Sequence, residues 1–152
     1  MRVLVIEDVQ SKFDDVRSIL NRLLPSDTEY VRASNLNEAE DAIMEDWSLV
    51  VVDLSMDING NGSVQGAGHA TLGGLDVLER MALLKIDHPT VLVTGFDSFQ
   101  DTDRFDNAIM NLTDISGLAS EWLGTAYVGC IRYGGDNWGR RFERMLQLWK
   151  SK

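Results

Sequence analysis

Leu49-Val50-Val51-Val52-Asp53-Leu54 is the stretch on which the fold turns. Apolar residues run without a polar interruption into a single acid. An unbroken apolar run, rather than an alternating one, marks a strand covered on both faces, as in a parallel sheet. Arg2-Val3-Leu4-Val5-Ile6-Glu7 has the same character and again ends in acid, with Asp8 next. Thr90-Val91-Leu92-Val93-Thr94, entered from Pro89, is a third buried strand and ends in a hydroxyl.

The segments between these strands have helical spacing. Ser11 is expected to open a helix with Asp14 in a capping-box position. Phe13, Val16, Leu20, Leu23 and Leu24 then recur on one face until Pro25 stops the pattern. Glu29 to Ala33 reads as a short strand. Asn35 and Glu38 form a second candidate capping box, ahead of an inward face of Leu36, Ala39 and Ile43. Gly74 to Lys85 is helical, with Leu75, Leu78 and Met81 or Ala82 inward. Phe105, Ala108, Ile109 and Leu112 predict a helix in the next segment, and Thr113 to Gly117 breaks the pattern, so two helical pieces are expected there. Tyr127 to Tyr133 is the last strand. Trp138, Phe142, Met145, Leu146 and Trp149 mark a strongly amphipathic final helix. Strand and helix thus alternate five times. That order implies an α/β fold, doubly wound, with right-handed crossovers and helices on both faces of a parallel sheet. One domain is expected over residues 1–152, with a long Gly-rich loop insertion at about residues 57–73.

Composition narrows the function. The formal net charge is −10, which disfavours nucleic acid and anionic membrane surfaces as partners, although Arg140, Arg141 and Arg144 make a small basic patch. Cys130 is the single cysteine, so no internal disulfide forms, and a cytoplasmic location is expected. No apolar run approaches the roughly 20 residues that span a bilayer.

In doubly wound sheets, sites form beyond the carboxyl ends of the strands. Here those ends carry Glu7, Asp8, Asp53 and Thr94. Packed carboxylates repel one another unless a cation joins them. A hard divalent ion with oxygen ligands meets that need, and Mg2+ suits a site with few protein ligands and several waters.

With these residues in place, the sequence resembles the CheY-like response-regulator receiver domains of two-component signalling. Val3 to Asp8 resembles their first strand and acidic pair. Leu49 to Met56 resembles the strand with the phosphoacceptor and the Met after it. Gly74-Leu75-Asp76-Val77-Leu78 matches the opening of the third helix, and Thr90 to Gly95 the fourth strand with its hydroxyl and small residue. The resemblance implies a five-stranded parallel sheet of order 2-1-3-4-5. It implies that Glu7, Asp8 and Asp53 hold Mg2+, with the Ser55 backbone carbonyl as a further ligand. Asp53 would be the phosphoacceptor, Thr94 would donate to the phosphoryl oxygen, and Gly95 would leave room for Thr94 to move. The implied partners are a histidine kinase or phosphotransfer protein and a separate effector, with the protein a monomer or a phosphorylation-dependent dimer. It would be a signalling domain rather than an enzyme, and the chain holds no evident output domain.

Three departures stand out. The family's last strand ends in Lys-Pro, and the best counterpart here is Arg132 followed by Tyr133. Counting from Gly124 would place Ile131 there instead. Arg can clamp phosphate through two N–H groups but differs from Lys in shape and reach. Second, Asp57 replaces the family's Pro at the head of the long loop. Asp57, Asn59, Asn61 and Gly62 repeat half of a calcium-binding loop, but the position needing a bidentate acid is Gly68, which argues against calcium. Gly66-Ala67-Gly68 follows no strand end, and His69 has no partner at metal-ligand spacing. Third, the stretch from Thr94 to Tyr127 is long, and both Tyr127 and Tyr133 are candidates for the family's aromatic switch. The missing Lys-Pro leaves an alternative, a pseudo-receiver acting as a phosphorylation-independent protein-binding module. A Mg-dependent phosphohydrolase is a weaker alternative, because Ser55 stands where such enzymes carry a second Asp.

Overall fold

A computed structural model describes residues 1–55, 73–100, 105 and 108–152. Its elements are β1 (Arg2–Ile6), α1 (Gln10–Leu23), β2 (Glu29–Ala33), α2 (Leu36–Ala42), β3 (Leu49–Asp53), α3 (Gly73–Leu83), β4 (Thr90–Thr94), β5 (Ser98–Gln100), β6 (Ile109–Asn111), α4 (Leu112–Leu123), β7 (Tyr127–Arg132) and α5 (Trp138–Lys150). Five strands form one sheet in the order β2-β1-β3-β4-β7, every pair parallel. This is the expected 2-1-3-4-5 order, because among the described residues β5 and β6 pair with each other and not with this sheet.

Both sheet faces are covered, and the period of two along each strand sorts the side chains between them. Val3, Val5, Leu49, Val51, Val91, Val93 and Ile131 pack with Phe13, Val16, Ile19 and Leu20 of α1 and Phe142 and Leu146 of α5. Leu4, Ile6, Val50, Val52 and Leu92 face the other way, against Ala39 of α2, Leu75, Leu78 and Met81 of α3, and Ile115 and Ala119 of α4. The unbroken apolar runs therefore had two cores to fill.

Local details differ from expectation in four places. α1 begins one residue before Ser11, its N-cap is Val9, and no side chain caps it. Asp14 instead accepts a bond from Gln10 Nε2 at 2.9 Å. At α2 the Asn35 side chain does cap Glu38 N, but Glu38 turns back to Ser34 N and Oγ, both at 2.9 Å, rather than to Asn35. Ile109, expected in a helix, lies in β6 of an antiparallel ribbon anchored by the fully buried Phe99. Thr113 to Gly117, expected to break a helix, lies inside α4. There Asn111 and Asp114 form a complete capping box, and Gly117 is on the exposed side. The insertion starting at Asp57, with its calcium-like pattern and His69, lies outside the described residues; Gly73, its expected end, begins α3.

Candidate functional site

Strand order reverses around β1: β2 follows it on one side and β3 lies on the other. The crevice beyond the ends of β1 and β3 is the switch point of the sheet. Glu7 and Asp8 leave β1 there, and Asp53 closes β3. One carboxylate oxygen from each of Glu7, Asp8 and Asp53 lies within 4.8 Å of the others. Glu7 is 2% exposed and Asp53 3%, so two carboxylates are almost wholly removed from water.

The backbone here is fastened by Arg32, at the end region of β2. Its Nε donates to the Glu7 carbonyl at 2.9 Å and its Nη2 to the Asp8 carbonyl at 2.8 Å. Its Nη1 reaches Gln10 Oε1 at 2.7 Å, tying the start of α1 to the same turn. Glu7 Oε2 accepts the Val9 N–H at 3.1 Å. Asp53 Oδ1 accepts both the N–H and the hydroxyl of Ser55, at 3.1 and 2.8 Å.

A cation already lies among the acids. Lys12, on the first turn of α1, sends its Nζ to Asp53 Oδ2 at 3.1 Å and to Glu7 Oε1 at 3.3 Å. Burial alone would lower the pKa of this ammonium, but the charges of Asp53 and Glu7 outweigh it and raise it above the ordinary value. Burial first, and the Asp53 carboxylate second, push Glu7 up to about 9 despite Lys12. Three carboxyl groups thus converge beside one ammonium, and the raised Glu7 value reflects burial and repulsion from Asp53 together. An all-oxygen donor set of this kind could hold a hard divalent cation.

Thr94 ends β4, fully buried, with its Oγ1 accepting the Phe96 N–H at 3.2 Å. Apart from its chain neighbours, no described atom lies within 4 Å of where a Cβ on Gly95 would be. Thr94 pairs with Arg132 and Val93 with Ile131, which makes Arg132 the strand-end residue; Ile131 packs into the core. The Arg132 guanidinium does not turn to Asp53. Its Nε bonds Asp97 Oδ1 at 2.9 Å and its Nη1 the Tyr133 carbonyl at 2.7 Å. Tyr127 pairs with Thr90 at the opposite end of the strands and bonds Ser116 through its hydroxyl. Tyr133 lies at the site end: its ring centroid is 5.4 Å from Lys12 Nζ, and its hydroxyl donates to Asp15 Oδ2 at 2.6 Å.

Lys12 and Arg32 were not singled out in the sequence. Lys12 had a legible sign, because positions 12, 16, 19 or 20 and 23 form one helical stripe, and Val16, Ile19 and Leu20 on it are buried. A lysine on a core-facing stripe requires an acidic partner. Arg32 gave no comparable sign, since the strand end it serves is set by tertiary pairing.

No protein-family profile matches the sequence, and no curated protein matches it. Solved structures do. A signal receiver domain of two-component signal transduction (histidine kinase) from Clostridium thermocellum superposes with a TM-score of 0.66 at 14% identity, over 97% of this chain and 94% of that one. A CheY-like receiver domain from Methylobacillus flagellatus gives 0.60 at 17%, over 97% of both. One from Methanospirillum hungatei JF-1 gives 0.58 at 17%, over 99% and 98%. The chain therefore has the receiver-domain fold of two-component response regulators along nearly its whole length.

Proposed function

We propose that the protein is a response-regulator receiver that accepts a phosphoryl group on Asp53. The observation that carries this reading is the convergence of Glu7, Asp8 and Asp53 within 4.8 Å at the switch point of a receiver fold. Glu7, Asp8, Asp53 and the Ser55 carbonyl would hold Mg2+. Bound there, the ion would offset charge on the cluster and on the incoming phosphoryl group. Asp53 is the acid best placed as nucleophile, because Ser55 fixes one of its oxygens through two hydrogen bonds and thereby orients the other. Thr94 lies one strand over and would donate its hydroxyl to a phosphoryl oxygen, with the small Gly95 next to it leaving room for the movement. The donor would be a histidine kinase or phosphotransfer protein, and the output would pass through contacts with an effector.

Intact-mass measurement after incubation with Mg2+ and an acyl phosphate tests the reading. One phosphoryl group should appear on the wild type and none on Asp53→Asn. Labelling of Asp53→Asn at the wild-type level would remove Asp53 from its role. An unlabelled wild type would favour a phosphorylation-independent binding module.

A further inference from the structure

We infer that Lys12, from the first helix, supplies the ammonium that neutralises the transferring phosphoryl group, a role the last strand does not fill in this chain. The inference rests on the receiver reading of Asp53. Three observations point to it. Lys12 Nζ contacts both Glu7 and Asp53, and its side chain is only 14% exposed, so the ammonium is held in the crevice rather than passing through it. Its Nζ lies over the Tyr133 ring, directly after the end of β7, so a cation from α1 occupies the side of the site that faces the last strand. The cation that β7 itself offers, Arg132, is bonded to Asp97 and to the Tyr133 carbonyl.

The chemistry asks for such a group. An Asp53 carboxylate oxygen attacks the phosphorus of an acyl phosphate. The new O–P bond forms as the bond from phosphorus to the acyl oxygen breaks, and the electron pair departs on the carboxylate leaving group. Negative charge spreads over the equatorial phosphoryl oxygens, and fixed positive charge beside them lowers the barrier. An ammonium 3.1 Å from the attacking carboxylate is already within reach of those oxygens. As the Asp53 oxygen becomes part of an acyl phosphate, Lys12 would turn from the carboxylate towards the new phosphoryl oxygens.

The test compares Lys12→Ala, Lys12→Arg and Arg132→Ala with the wild type, using acetyl phosphate and Mg2+, with initial labelling followed by intact mass. Mg2+ affinity is read separately by tryptophan fluorescence, for which Trp138 is a natural reporter at 4.7 Å from the Tyr133 ring. Lys12→Ala should lose about 100-fold in labelling rate, the scale of removing one transition-state donor. Lys12→Arg should recover part of the rate. Mg2+ binding by Lys12→Ala should stay as tight as in the wild type or become tighter, since a competing cation has gone; a merely structural lysine would lower both readouts together. Labelling of Lys12→Ala at the wild-type rate, or a greater loss from Arg132→Ala than from Lys12→Ala, would overturn the assignment while leaving Asp53 as acceptor. An unlabelled wild type would overturn the receiver reading and this role with it.

Discussion

On the proposed role of Asp53 as phosphoacceptor, Phe96 and Ser55 would govern how long a phosphoryl group there lasts. The resemblance to receivers makes the side chains two positions beyond the acceptor and two beyond the strand-end hydroxyl the ones that tune attack by water. Ser55 has its hydroxyl committed to Asp53 Oδ1, and Phe96 is a half-buried aromatic packed against the core. Neither is a general base able to orient a water molecule. Slow hydrolysis is expected, and Phe96→Glu should speed it about 100-fold, the low end of what a positioned base contributes. A decay time course of purified phosphoprotein decides: wild-type decay within seconds, unchanged by the substitution, would show that Phe96 shields nothing. The acids of the site were legible because each directly follows or ends an apolar run, and the ends of such runs must lie at one edge of a parallel sheet. Lys12 was not, because its Cα belongs to a helix and only the packing of α1 on the sheet brings its ammonium to Asp53. Arg132 was placed correctly on its strand, yet its neighbour Asp97 comes from a connection whose path the sequence does not dictate.

Gly74 shows how an element is locked to the site. A Cβ there would lie 2.6 Å from the Asp53 carbonyl oxygen and 2.6 Å from Leu54 Cα, both backbone atoms that cannot turn aside. The Gly74 N–H donates to the Leu54 carbonyl at 3.2 Å, so the start of α3 packs directly on the turn after β3. Gly74→Ala should destabilise the fold by about 1–3 kcal/mol, the cost of overpacking a filled site. Gly117→Ala, on the exposed face of α4 with nothing within 4 Å, should instead stabilise it by about 0.5–1 kcal/mol through helix propensity. Urea unfolding of both variants checks the pair; equal stability of Gly74→Ala and wild type would mean that α3 can draw back from β3 at no cost. The same contrast explains which elements could be read in advance. The helices with two or more turns of apolar stripe were recognisable, and so were the doubly covered strands. The ribbon of β5 and β6 was not, since each strand has three residues and its order depends on Phe99 finding a core. α4 looked broken at Thr113 to Gly117 because polar residues and a glycine there are exposed, while Ile115 and Ala119, four apart, carry the buried face.

Across the whole molecule, the buried acids couple stability to protons and, on the proposed metal site, to Mg2+. Glu7 has a folded-state pKa of about 9 against an ordinary value of 4.5, raised by burial and then by Asp53. Between those values the metal-free folded protein keeps a proton that the unfolded chain has released. Stability therefore falls as pH rises through that window, by at most about 1.4 kcal/mol per pH unit from this one group. Mg2+ must displace the same proton to use Glu7, so its apparent affinity should climb with pH over the same range. Melting temperatures taken from pH 5.5 to 8.5, with and without Mg2+, should show a metal-free value that declines and a Mg2+-induced increment that grows. Other groups titrate as well, so the informative quantity is the difference between wild type and Glu7→Gln, which carries no proton to lose. Glu7→Gln should be less sensitive to pH without metal and should gain an increment from Mg2+ that is nearly constant. A wild-type increment that stays constant across this range, matching Glu7→Gln, would mean that Glu7 is already ionised before the metal arrives.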